Sequence, residues 1–138
     1  MRTGIQQRAR DEGGAVLVAG LLLALALLLV IGAAVDIGRA FIDRRELVSV
    51  ADGAALSGSQ ALDLEQLHGG QLALDPSEAR ATALAALAGE PELHARASAS
   101  PAAVTVEVER KLPTLLLRVV GLPSLTVKAS ATAEPRAP

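Results

Sequence analysis

Residues 15–35 read AVLVAGLLLALALLLVIGAAV, a stretch with no charge, preceded by Gly13-Gly14 and closed by Asp36. An α-helix rises about 1.5 Å per residue, so the stretch reaches about 31 Å, close to the hydrocarbon thickness of a bilayer, about 30 Å. Its centre, Leu21–Ile31, is apolar on every face. A soluble helix of that kind needs a large protein body to cover it, and 138 residues cannot supply one. The stretch reads as a transmembrane helix.

A secretory signal peptide is the competing reading. Arg2, Arg8 and Arg10 would form its basic end, and Gly32 and Ala34 would sit before a cut after Ala34. Against it, the apolar run is longer than the 7–15 residues of a signal core, and the helical pattern continues past the cut. Arg39, Arg44 and Arg45 follow the run, so the flanking basic residues are nearly balanced. The free amino terminus and the strand-rich C-terminal part favour a single pass through the cytoplasmic membrane, with residues 1–14 inside and the C-terminal domain outside.

The helical pattern does not stop at Asp36. No proline occurs before Pro76, and Phe41, Leu47, Val48, Ala51, Ala54, Ala55, Gly58 and Leu62 approximate one face at three- and four-residue steps. The pattern predicts a juxtamembrane helix over 36–67, ended by His68-Gly69-Gly70. Asp36 with Arg39, and Arg39 with Asp43, have helical ion-pair spacing. Ala51 with Ala55, Ala54 with Gly58 and Gly20 with Ala24 are small residues four apart, a spacing that lets another helix approach closely. Asp75-Pro76 predicts the start of a second helix, with Asp75 as cap and Pro76 in the first turn, running through Ala88 to a stop at Gly89.

Beyond Pro91 the period changes from helical to two. Leu93, Ala95 and Ala97, then Val104, Val106 and Val108, then Leu125, Val127, Ala129 and Ala131 alternate with polar residues. Three strands are expected, the first weakest because alanine is a poor strand former. Between the second and third, Pro113–Gly121 reads as a short helix covering the sheet, and residues 134–138 as a frayed tail. The expected class is α+β: a transmembrane helix over 15–35, its Ala-rich continuation over 36–67, and a small α/β domain over 75–138.

Composition narrows the functions. Apolar residues make up 51% of the chain but aromatic residues only 1%, Phe41 being the one example. A core built from Ala, Val and Leu buries little area per residue, which predicts a marginally stable domain that assembles with partners. The net charge of -2, without a basic stripe or aromatic platform, argues against nucleic acid as a partner. There is no cysteine, so disulfides and thiol chemistry are excluded. His68 and His94, the only histidines, do not form a metal-binding spacing. Gly69-Gly70 lacks the surroundings of a phosphate loop, and no serine carries a nucleophile signature. No catalytic residue, cofactor, metal or small-molecule substrate is expected.

Arg10-Asp11-Glu12-Gly13-Gly14-Ala15-Val16, the apolar run, then Val35-Asp36-Ile37-Gly38-Arg39, Arg44-Arg45-Glu46-Leu47 and Ala51-Asp52-Gly53-Ala54-Ala55-Leu56-Ser57-Gly58 occur in this order. The pattern resembles the TadE/TadG-like proteins of Flp (tight-adherence) pilus assembly, and the resemblance extends through the strands and Pro-led segment of 104–132. It implies a bacterial, pilin-like or accessory component of a pilus or related secretion apparatus. Its implied partners are the membrane and other pilus-assembly or pilin-like subunits, including copies of itself. Some relatives are cut after Gly with Glu at the fifth position beyond; here those positions hold Val18 and Ala19, which fits a permanently anchored assembly factor better than a major pilin. Asp36, Arg39, Ala51, Asp52, Ala55 and Gly58 are the candidate helix-packing and assembly residues. Two other functions stay open: a secreted binding module released after Ala34, and a membrane-bound hydrolase with an unsignalled site.

Overall fold

The computed structural model describes the backbone of residues 3–136 and side chains from residue 13 onward. Of the basic residues expected to flank the span, Arg2 and the side chains of Arg8 and Arg10 lie outside these limits, as does the end of the tail, residues 137–138.

Helix α1 runs unbroken from Thr3 to Gly58, 56 residues, or about 84 Å at 1.5 Å per residue. It carries the apolar run and its continuation as one rod, without a break at Ala34 or Asp36. The helix expected over 36–67 is interrupted after Gly58. Ser57 and Ser59 turn their hydroxyls onto the carbonyls of Gly53 and Leu56, at 2.9 and 2.8 Å, a local bonding that competes with helix continuation. Asp63 then caps a new short helix, α2 (Leu64–His68), by accepting the N–H groups of Glu65 at 2.9 Å and Gln66 at 3.2 Å. A carboxylate that can satisfy two free donors is better placed as a cap than inside a helix.

The chain returns through Ala73–Asp75, where Leu62 and Leu74 bridge antiparallel. Helix α3 (Pro76–Ala85) starts as expected: Asp75 accepts from Ser77 at 2.8 Å and Glu78 at 3.1 Å, and Pro76 occupies the first turn. Regular helix stops at Ala85, and turns carry the chain through Gly89.

Strands β1 (His94–Ala99), β2 (Val104–Pro113) and β3 (Ser124–Ala133) form an antiparallel sheet in the order β1-β2-β3. The register places Ala97, Val106 and Ala131 in one row and Ala95, Val108 and Ala129 in the next. These rows face α1 and α3 and build the core with Leu47, Ala51, Ala54, Ala55, Ala79 and Ala83. The other face is polar; Glu109 meets Lys128 there at 3.1 Å, and the Thr105 and Thr132 hydroxyls meet at 2.9 Å. The class is α+β, two layers with helices on one face only.

Small residues let the layers close. A Cβ on Gly58 would stand 2.7 Å from the Ala79 carbonyl oxygen and 3.0 Å from the Ala83 Cβ, so α1 passes α3 at backbone distance. Ala51 and Ala55, at 0% and 1% exposure, complete the contact.

Candidate functional site at the junction of helix and sheet

Asp36 ends the uncharged run and is 4% exposed. One carboxylate oxygen accepts the Leu115 N–H at 2.8 Å; the other accepts those of Leu116 and Leu117, both at 2.9 Å. Three donors on one anion satisfy its capacity without a counter-charge. The donors belong to the β2–β3 connection, so a residue of α1 acts as the cap of a turn some eighty residues later.

That connection is a 3-10 turn over Leu117–Val120, not the expected helix over 113–121. It does not cover the sheet either. Asp36 gathers its N–H groups and seats it on α1, with the Leu116 side chain against Gly32, where an added Cβ would meet the Leu116 Cβ at 2.5 Å. Gly121, at φ 90°, closes the turn, and its N–H donates to Arg118 O at 3.2 Å. The Thr114 N–H reaches Pro123 O at 3.1 Å, and the Thr114 hydroxyl donates to Leu122 O.

A second lock lies two turns further along α1. Arg110, 11% exposed, donates to Asp43 at 3.0 Å and Glu46 at 3.3 Å on α1, and to Glu90 after α3 at 3.2 Å. Burial alone would lower the pKa of this guanidinium, but its hydrogen bonds to Asp43 and Glu46 outweigh that and raise it. Arg110 occupies the inward phase of β2, after Val104, Val106 and Val108. Arg110 escapes the sequence reading; a charge on the apolar phase of a strand is the signal that could have marked it, though not its partners. Between the two locks is a cleft of about 170 Å³ bordered by Asp36, Arg39, Asp43, Glu46 and Thr114.

The structure thus divides the candidate residues. Asp36 is buried and bonded to backbone, and Asp43 is held by Arg110, so neither makes the ion pair with Arg39 that helical spacing suggested. Arg39 is exposed beside the cleft. Ala51, Ala55 and Gly58 do permit a close approach, but to α3 and the sheet of the same chain. Asp52 is exposed on the opposite side of α1. Phe41, placed on the apolar face by periodicity, is 64% exposed.

Comparison with known families agrees with this architecture. The family described as Flp pilus-assembly TadE/G-like matches residues 13–61, the apolar run and its continuation. The family described as Tad-like Flp pilus-assembly matches residues 41–133, the rest of α1 with the whole sheet. The chain belongs to the Tad-like Flp pilus-assembly family. The two matches overlap over residues 41–61, the packed half of α1 and the turn after it in this Tad-like chain. No curated protein and no solved structure matches it. The families are assembly components, and the helix containing the apolar run is long and apolar enough to cross a membrane, with none of its most apolar window buried by the protein.

Proposed function

We propose that this protein is a membrane-anchored, pilin-like or accessory component of Flp-type pilus assembly, acting by helix packing and protein docking and not as an enzyme. Residues 15–35 span the cytoplasmic membrane, the N-terminus lies inside, and the sheet domain is displayed outside. The observation that carries the reading is that one unbroken helix joins an apolar half, whose most apolar window is left unburied by protein, to a folded head, within a chain matched by Tad-type families from residue 13 to 133. Asp36 and Arg110 make that join stiff, so the head is held at a set angle to the anchor. Since Ala51, Ala55 and Gly58 are used inside the chain, neighbouring subunits are met by the opposite face of α1, where Phe41, Asp52 and Leu56 are exposed.

The test is complementation of a deletion strain, combined with a topology reporter after Pro138 and cross-linking from Asp52→Cys. The expected result is reporter activity only outside the cytoplasm, restored pilus output, and a cross-link to another pilus-assembly subunit or a second copy. Asp36→Ala should weaken the cross-link and leave membrane insertion unchanged. Cytoplasmic reporter activity would reverse the topology, and normal pili without the protein would remove the assembly role.

A further inference from the structure

The turn that Asp36 holds is unusual in what it leaves outside. Leu115 is 53% exposed, Val119 70%, Val120 56% and Leu122 51%, an apolar patch on a loop with no protein against it among the described residues. Its place decides what covers it. Leu116 rests on Gly32, which lies within the uncharged run, about 6 Å before Asp36 along the helix axis at 1.5 Å per residue. The loop therefore sits on the side of α1 where Leu28 and Val35, one turn before and after Gly32, expose apolar surface at 63% and 48%.

We propose that the loop Leu115–Leu122 dips into the bilayer beside the last turns of the span, at the boundary of acyl chains and headgroups, as a second membrane contact. The proposal rests on the anchor reading, since it takes its depth from the span. The loop's backbone suits this position. Hydrocarbon tolerates no unbonded peptide group, and the N–H groups of Leu115, Leu116 and Leu117 are taken by Asp36, while those of Val119, Gly121 and Leu122 are taken by Leu116, Arg118 and Leu117 carbonyls. Pro113 and Pro123 flank the loop and carry no N–H at all. A carboxylate at the edge of a membrane is costly unless it is paired or hydrogen-bonded, and the three loop donors meet that need. Arg118, exposed in the same loop, has the long apolar stem and charged head that reach lipid phosphates from such a depth. The partner is lipid, and the consequence is an orienting device: two contacts side by side fix the tilt and rotation of the rigid helix-and-head unit relative to the bilayer, which a single span leaves free.

The chain has no cysteine, so single-cysteine labelling needs no background removal. Full-length protein in nanodiscs of phosphatidylethanolamine and phosphatidylglycerol, one copy per disc, would carry an environment-sensitive fluorophore at Val119→Cys, Leu122→Cys, Leu25→Cys or Ser130→Cys. Brominated lipids with the halogen near the headgroup or deep in the chain act as quenchers. Positions 119 and 122 should show blue-shifted emission and lose fluorescence chiefly to the shallow quencher, position 25 chiefly to the deep one, and position 130 to neither. Positions 119 and 122 behaving like 130, while 25 is quenched, would overturn the dipping loop and leave the anchor standing. Absence of quenching at 25 would overturn both. Positions 119 and 122 shielded from lipid and aqueous quenchers alike would mean that the loop folds against the chain itself, and would also overturn the proposal.

Discussion

Along α1, two neighbouring regions treat apolar residues in opposite ways. Before Asp36, Leu17 is 76% exposed, Leu21 71% and Val30 66%; after it, Leu47 and Ala51 are fully buried and Ala54 and Ala55 nearly so. The first region is built from large side chains pointing in all directions, the second from small ones gathered on one side. A fluid solvent needs no complementary shape, so leucines can face it from every angle. A fixed neighbour such as α3 requires a defined distance, and Ala and Gly set it by their lack of bulk. Apolar composition thus marks two different partners, one outside the chain and one within it.

The strongest way to break this contrast is to charge the first region. Leu23→Arg with Leu27→Arg should cost about 5–7 kcal/mol of insertion, at roughly 2.5–3.5 kcal/mol per arginine at a span's centre. Full-length protein should leave the membrane fraction, while the head keeps its protease resistance. If the head unfolds as well, the two regions are not independent.

Next in size is the lock between α1 and the sheet. Arg110→Ala strands Asp43 at 14% exposure, and loss of one partner of a buried pair costs about 3–5 kcal/mol. Glu46 and Glu90 are 58% and 47% exposed, so the low end, about 3 kcal/mol, is expected from denaturant unfolding in detergent. Membrane fractionation should not change.

Overfilling the second region is a milder test. Ala51→Leu adds bulk at a site with no exposure and should destabilise the head by about 1–3 kcal/mol. Phe41→Leu, on the exposed side, should move the same unfolding curve by no more than about 0.5 kcal/mol. Equal effects would mean that the packed side has been misplaced.

The smallest effect concerns the cap of α3. The N–H of Glu78, with the hydroxyl and N–H of Ser77, holds the Asp75 carboxyl below its ordinary value of 3.8. A carboxyl with a lowered folded-state pKa stabilises the fold above the unfolded value and loses that contribution as pH falls through the folded one. Asp75→Asn keeps a capping oxygen but does not titrate. Its difference from wild type in melting temperature, already small at neutral pH, should vanish in acid.

Much of this protein was legible without coordinates. The helix long and apolar enough to span a membrane follows from length and lack of charge between Ala15 and Val35, properties of consecutive residues that need no partner to be read. The three strands follow from alternation, and the start of α3 from Asp75-Pro76, because pleat and cap are local geometry. The close approach at Ala51, Ala55 and Gly58 was also visible, since small residues four apart permit it whatever the neighbour. Which neighbour arrives was not visible: α3 and the sheet take that surface because the break after Gly58 turns the chain back on itself, with Asp63 capping the short helix that follows. Nor could the sequence assign Asp36 and Arg110. Spacing pairs Asp36 with Arg39, one turn away, but an i,i+3 pair on an exposed helix is worth only about 0.2–0.5 kcal/mol. Three charge-assisted bonds from Leu115, Leu116 and Leu117 outweigh it. Those donors are near Asp36 only because β2 runs antiparallel to its neighbours and delivers its end beside α1, a proximity that tertiary structure alone creates.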